Sequence, residues 1–241
     1  MSQRALLVAD LGTRPYGEVL ELQRRLCRAR QAGALADDLL LLVEHPPVVT
    51  LGRGTRATSL PLSPEAIRAR GVEVFEVERG GDVTFHGPGQ LVGYPILDLA
   101  HHRQDLHWYL RTVEQALIEG LATLGIAAGR SEGLTGVWTG GRKIASIGIH
   151  VKQWVTFHGF ALNVSTALDY FDLIVPCGIE GVTMTSIVRE LGGAGPPEPM
   201  AAAREAAVAS FARVFDRAPR PALEAEWNLP AEAGVQESTR A

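Results

Sequence analysis

Residues 79–94 read RGGDVTFHGPGQLVGY. Within twelve positions, 79–90, this stretch holds Gly80, Gly81, Gly87 and Gly89, one proline, and the hydrogen-bonding side chains of Arg79, Asp82, Thr84, His86 and Gln90. An apolar run from Leu91 to Leu99 follows directly. Glycine lets a ligand lie against bare backbone N–H groups. A turn that only reverses the chain needs one or two glycines, so the stretch reads as a ligand cradle feeding a buried strand.

Further strands lie on either side of the cradle. Upstream, Leu6–Val8, Leu39–Val43, Val48–Leu51 and Val72–Val77 are short and apolar or alternating, and His45-Pro46-Pro47 stops the ladder between the second and third of these. Downstream, Val137-Trp138 and Ile144–Val151 flank Gly140-Gly141, a two-residue hairpin turn. Val155–Val164 supplies one more strand. Helical periodicity marks Tyr16–Ala32, with Val19, Leu22 and Leu26 on one face. It also marks 106–124, through Leu106, Leu110, Val113, Leu117, Leu121 and Leu124, and Ala201–Phe215. A short helix, Pro64–Arg70, is entered through Ser63 as its N-cap. Strands that come in hairpins, separated by a few long helices, predict an α/β (α+β) domain with mixed, mainly antiparallel sheets rather than a βαβ repeat. A single catalytic domain is expected over 1–216, followed by a Pro-, Ala- and Glu-rich tail over 217–241, loosely attached.

Composition narrows the function. The 241 residues carry a net charge of −4 and are 46% hydrophobic. No global field draws nucleic acid or a membrane surface, and no run approaches the length of a membrane span. The opening MSQRALLVAD lacks a long apolar core, which predicts no secretory leader. Cys27 and Cys177 are the two cysteines, and there is no CxxC or HExxH. That composition predicts a cytoplasmic protein without disulfides and without a metal site. Cys27, beside Leu26 on the helix face, reads as a small core residue.

Two residues carry the expected chemistry. Lys143 and Lys152 are the two lysines of a chain whose other side-chain cations are all arginines. Lysines kept against such a bias are enriched in work that needs an amine able to give up its proton. If 142–151 is a regular strand, Lys143 shares a face with Ala145, Ile147, Ile149 and Val151. Desolvation lowers an amine's pKa, and such an amine accepts and returns protons nearer neutral pH. Cys177 sits between Pro176 and Gly178, on a turn that can aim its sulfur into a cleft.

The stretch 79–94 also resembles the signature of the octanoyltransferases of lipoate biosynthesis. So do EHPPVVTLGRG at 44–54, GRKIASIGIHV at 141–151, WVTFHGFALNV at 154–164 and IVPCGI at 174–179. The five blocks occur in order. The resemblance implies a fold similar to the catalytic domain of biotin and lipoate ligases. It implies transfer of an octanoyl group from acyl carrier protein to a lysine of a lipoyl domain, on 2-oxoacid dehydrogenases or the glycine cleavage H protein, with no cofactor. It matches the family's nucleophile to Cys177 and its partner amine to Lys143. It matches the acyl-binding segments to Arg79, Gly80, Gly81, Asp82, Val83, Thr84, Phe85 and His86, to Ser146, Ile147 and Gly148, and to Gly159, Phe160 and Ala161. A monomer is expected. The nearest alternative is an ATP-dependent lipoate- or biotin-type protein ligase, which needs no cysteine; a non-catalytic acyl-binding module is a second.

The chemistry is consistent with those assignments. Sulfur is both nucleophile and leaving group for two thioester steps. Lowering a thiol's pKa by about two units raises its thiolate about 25-fold but cuts its nucleophilicity roughly eightfold. Orientation and oxyanion stabilisation must therefore supply most of the rate. The acceptor lysine is neutral in only about one molecule in 2,500 at pH 7, so it needs a base. Val83, Phe85, Ile147 and Phe160 are expected to line the acyl pocket, with His86 and His158 nearby as the candidates for a Cys–His alternative.

Overall fold

A computed structural model describes residues 4–176 and 181–228. Eight strands form one sheet in the order β11-β1-β2-β6-β10-β9-β8-β7. In chain order these are β1 (Ala5–Thr13), β2 (Asp38–Glu44), β6 (Gln90–Ile96), β7 (Gly129–Ser131), β8 (Leu134–Thr139), β9 (Arg142–Lys152), β10 (Val155–Asn163) and β11 (Ala218–Pro221). A smaller sheet runs β4-β3-β5, from β3 (Val48–Leu51), β4 (Glu73–Glu76) and β5 (Val83–His86). β1 pairs in parallel with β2 and β11, and β3 with β4; the remaining ladders are antiparallel. The expected mixed, mainly antiparallel architecture is what the chain adopts.

The helices are α1 (Tyr16–Gln31), α2 (Pro64–Arg68), α3 (Leu106–Thr123), α4 (Ile187–Leu191), α5 (Pro199–Val214) and α6 (Glu224–Trp227). Ser63 caps α2 by accepting the Ala66 N–H, and Asp105 caps α3 by accepting that of Trp108. α3 and α5 cover one face of the large sheet, where Val113, Leu117 and Phe211 meet Leu40, Leu42 and Phe160. α1 covers part of the other face, where Val19, Leu22 and Leu26 meet Leu39, Leu41 and Val92. This two-sided burial explains the unbroken run Leu39–Val43: a strand buried on both faces needs no polar alternation. The small sheet packs its own core around Val49, Val83 and Phe85, and it stands over the rest of the α1 face.

Two local departures from regular sheet shape the site. Pro95 is the penultimate residue of β6, a central strand, and has no N–H to give. Continuing the register that sets Phe160 against Gly93 would put His158 opposite it. At His158 the backbone of β10 turns left-handed (φ 58°), and its N–H goes instead to Oε1 of Gln23 on α1, at 2.9 Å. The β6–β10 pairing is thus interrupted where proline could not have paired, and it resumes beyond, where Thr156 N–H donates to Leu97 O. The second departure is a bulge in β9: Trp138 faces Lys143 and Val137 faces Ala145, so Ile144 is the extra residue.

The expected domain boundary at 217 is not where the sheet ends. Residues 218–221, placed by the sequence in a loose tail, form β11 on the edge of the large sheet. Arg217 donates through Nε to Asp38 Oδ2 at 2.8 Å. Asp38 is buried, yet His102 and Arg217 outweigh its desolvation and hold its carboxyl down at about 2. An arginine with a buried carboxylate to pair binds the chain there, whatever the composition around it. Among the described residues, no helix is long and apolar enough to cross a membrane.

Candidate active site

A cavity of about 220 Å³ lies between the two sheets. Its walls are the 79–82 loop and β5 on one side, and β6, β9 and β10 on the other. It exceeds the engineered apolar cavity of about 150 Å³ that holds a benzene molecule.

The cradle is built by lacing two loops together. Arg53 and Gly54 donate their N–H groups to the carbonyls of Arg79 and Gly81. A Cβ on Gly52 would fall 2.4 Å from the Gly81 carbonyl oxygen, so only glycine allows this approach. Arg79 is buried, and its guanidinium reaches Thr50 O at 2.7 Å, Asp82 O at 2.7 Å and Gly80 O at 3.1 Å. Asp82 accepts from its neighbour Val83 N–H at 2.7 Å and from the Ser59 hydroxyl at 2.6 Å. Through these bonds the two charged residues, read from the sequence as acyl-binding, brace the loop against Thr50 and Ser59. Gly80 does not line the cavity; its N–H is taken by Ile149 O at 2.8 Å, which seats the loop on β9. Gly148 lies beneath it: a Cβ there would stand 3.0 Å from Arg79 Cδ. Gly148 pairs with Gly159 across the ladder, and a Cβ on Gly159 would stand 2.1 Å from Gly93 O. The glycines chiefly bring backbone onto backbone, and the cavity is what remains between.

β5 alternates as a strand must. Thr84 and His86 line the cavity, while the Phe85 side chain points away and stacks on Tyr170 at 4.8 Å, against Phe171. Phe85 is therefore core of the small sheet and not a pocket residue. Phe160 borders the cavity but stacks on Phe211 at 5.2 Å in the helical core. Asp82, Val83, Ser146, Ile147 and Ala161 all border the cavity.

One end of the cavity is aromatic and neutral. Tyr16 stacks on His86 at 5.9 Å, and Tyr94 meets Nε2 of His45 at 2.8 Å through its hydroxyl. Burial, helped by its neighbour His45, pulls the His86 imidazole down to about 3, and burial takes His45 to about 4. Burial lifts both phenols above their ordinary range. His86 Nδ1 lies 2.8 Å from the Gln90 side-chain oxygen, which fixes Nδ1 as the donor. Gln90 then donates to Asn163 at 2.9 Å, and Asn163 to Thr185 O at 3.0 Å. His158, buried and also lowered by desolvation, sits 3.7 Å from the Glu78 carboxylate. Tyr16 and Tyr94 are cavity residues that the sequence reading missed, since Tyr16 opens an amphipathic helix and Tyr94 lies in a wholly buried strand, where a tyrosine passes for core.

The other end holds Lys143, which is 2% exposed. The expected strand parity fails here. The bulge at Ile144 turns Ile144 and Ala145 toward the helices, while Lys143 lines the cavity with Ser146 and Gly148. Its Nζ stands 5.4 Å from the Trp138 ring centroid. Its backbone is held on the free edge of the bulge, where Lys143 N–H donates to Thr183 O and Thr185 N–H to Lys143 O, both at 2.9 Å. The assignment of Cys177 lies outside the described residues. The chain before it is tied down by Val175 N–H to Ser59 O at 2.9 Å, and after it by the pairing of Met184 with Lys143. Among the described residues, no group of three or more His, Cys, Asp or Glu could hold a metal ion.

With this arrangement in view, comparison with known proteins is decisive. Residues 15–212 match the lipoyl protein ligase A/B catalytic domain. The chain belongs to that family. Within the family it is 51% identical to the octanoyltransferase of Gloeobacter violaceus, over 92% of this chain and 96% of the relative. It is 48% identical to the octanoyltransferase of Solibacter usitatus, over 88% of this chain and 94% of that one. A lipoate protein ligase from Thermoplasma acidophilum has the same fold, with a TM-score of 0.70 at 17% identity over 94% of this chain and 89% of that one. A lipoate-protein ligase A solved with ATP superposes with a TM-score of 0.71 at 18% identity, over 93% of this chain and 91% of that one. Near-full-length identity to octanoyltransferases makes this chain an acyltransferase of protein lipoylation, and the cavity is its candidate acyl site.

Proposed function

We propose that the chain moves an octanoyl group from octanoyl–acyl carrier protein to the ε-amine of a lysine on lipoyl domains, through an acyl-thioester on Cys177. The acceptors would be 2-oxoacid dehydrogenases and the glycine cleavage H protein, and the enzyme would work as a cytoplasmic monomer. The observation that carries this reading is a buried lysine at one end of a narrow cavity whose other end is neutral and aromatic. Burying an eight-carbon tail there is worth up to roughly 5 kcal/mol.

The steps balance without nucleotide or metal. The Cys177 thiolate attacks the donor thioester carbonyl; the carbon–sulfur bond to pantetheine breaks, and Lys143 gives its proton to the departing thiolate. The acceptor amine then attacks the Cys177 thioester, Lys143 takes back a proton, and the Cys177 sulfur leaves. The product is an amide, downhill from a thioester. His86 is a poor candidate for the base: an imidazole pulled down to about 3 has little affinity for a proton at pH 7.

Intact-mass analysis of the wild type and Cys177→Ala with octanoyl–carrier protein tests this. The expected adduct of about 126 Da on the wild type, absent from the variant, supports the thioester. Attachment of octanoate by Cys177→Ser in the presence of ATP would turn the reading to a ligase, whose support is the fold likeness at 17–18% identity.

A further inference from the structure

We infer that Glu114 is a positioning residue for Lys143, acting through the backbone of Gly136. Glu114 sits in the middle of α3, is 1% exposed, and is a carboxylate in a helix face otherwise built of Val113, Ala116 and Leu117. Its Oε1 accepts the Gly136 N–H at 3.1 Å. Its Oε2 accepts from Arg111 Nη1 at 2.7 Å and Arg130 Nε at 2.9 Å.

Gly136 is the surface on which the lysine lies. Its φ is 125°, a backbone that side-chain-bearing residues rarely adopt. A Cβ there would meet Lys143 Cε at 2.7 Å, Lys143 Nζ at 3.2 Å and Ala145 O at 2.7 Å. The lysine stem therefore runs directly over the bare Cα of Gly136, with Trp138 beyond it. β8 and β9 lose regular register at this point, because the bulge falls between Ala145 and Lys143. Ladder hydrogen bonds alone do not fix where Gly136 sits beneath the amine, and the Glu114 bond supplies that restraint from the helix layer. The two arginines hold Oε2 from one side, which leaves Oε1 aimed at the Gly136 N–H. A leucine would fit this face of α3 and would leave the Gly136 N–H without an acceptor.

The inference rests on reading Lys143 as the proton carrier. The test compares wild type, Glu114→Leu, Glu114→Gln, Gly136→Ala and Lys143→Met in steady-state transfer from octanoyl–carrier protein. The chain has two lysines, so lysine-selective ¹³C labelling gives two Cε signals, and Lys152→Arg assigns them. Glu114→Leu is expected to lower kcat at least about 20-fold with KM within about twofold, and to move the Lys143 Cε resonance. Glu114→Gln, which keeps an oxygen for the Gly136 N–H, is expected to recover most of both. A folded Glu114→Leu with wild-type kcat, or with the Lys143 resonance unmoved, overturns the inference. If Glu114→Leu fails to fold, Gly136→Ala decides: a folded form with wild-type kcat overturns it, and lost kcat with a shifted Lys143 signal supports it. Lys143→Met separates the two levels, since transfer surviving there refutes the proton-carrier reading itself. A dead Lys143→Met beside a fully active Glu114→Leu refutes only the role of Glu114.

Discussion

The two ends of the cavity are built on opposite principles. At the Tyr16–His86–Tyr94 end, burial pushes both phenols and the imidazole toward their neutral forms, and a chain of hydrogen bonds from His86 through Gln90 and Asn163 fixes donors and acceptors one by one. At the Lys143 end, a basic side chain lies on a glycine held by a buried carboxylate with two arginines. Neutrality suits a hydrocarbon tail, because a buried charge beside it would be costly. A basic side chain suits the proposed role of the other end, where a proton would be given and taken back. The lesson is that one narrow cavity keeps these environments apart by drawing them from different elements: α1, β5 and β6 for the first, the β8–β9 hairpin and α3 for the second.

The largest expected effect comes from erasing the charged end. Lys143→Met, nearly isosteric along the stem, is expected to reduce octanoyl transfer by at least about 10³-fold, within the span of general acid–base effects, while the melting temperature stays close to wild type. Single-turnover transfer to a lipoyl domain measures it, and substantial residual activity would erase the contrast between the two ends.

Next comes the wall that both ends share. Arg79→Lys cannot reproduce the fork that reaches Thr50, Gly80 and Asp82 together. A stability loss of about 2–3 kcal/mol and a raised KM for the acyl donor are expected, with kcat changed less. Denaturant unfolding alongside kinetics reads both. An unaltered KM would mean that the cradle does not shape the acyl site.

The neutral end makes a pH prediction. The folded-state values of His45 and His86, about 4 and about 3, lie below the unfolded reference of about 6.5. The unfolded chain therefore binds more protons as pH falls below about 6.5, and stability is lost on acidification from there toward pH 4. Each histidine contributes a slope of about 1.4 kcal/mol per pH unit in that window. His86→Asn is expected to remove about half of the slope that the pair supplies, as measured by urea unfolding from pH 7 to pH 4.5. A slope equal to wild type would place a charged imidazole in the pocket.

The smallest effect sharpens the boundary of the site. Phe85→Leu is expected to cost about 1 kcal/mol of stability and to leave the acyl chain-length profile unchanged, because the ring packs on Tyr170 and Phe171. A shifted profile would return Phe85 to the pocket.

Much of this was legible in the chain itself. The period of the apolar residues gave α1, α3 and α5, the Gly140-Gly141 pair gave the β8–β9 turn, and the run Leu39–Val43 gave the strand β2. These are local statements, because propensity, turn conformation and one-dimensional periodicity reside in neighbouring residues. Lys143 stood out through composition, and the cradle through its density of glycine. Three things were decided only in three dimensions. Arg79 and Asp82 became braces because their hydrogen-bond partners, Thr50 as acceptor and Ser59 as donor, arrive from more than twenty positions upstream. The bulge at Ile144 turned Lys143 into the cavity, and no residue type dictates a bulge. Residues 218–221 joined the sheet edge beside β1, anchored by Arg217, which shares with Arg30 and His102 the carboxylate of Asp38 buried at the start of β2. A sequence specifies which groups must be buried and which must be paired; which partner, from which distance, is set by the packing that brings separate segments to one place.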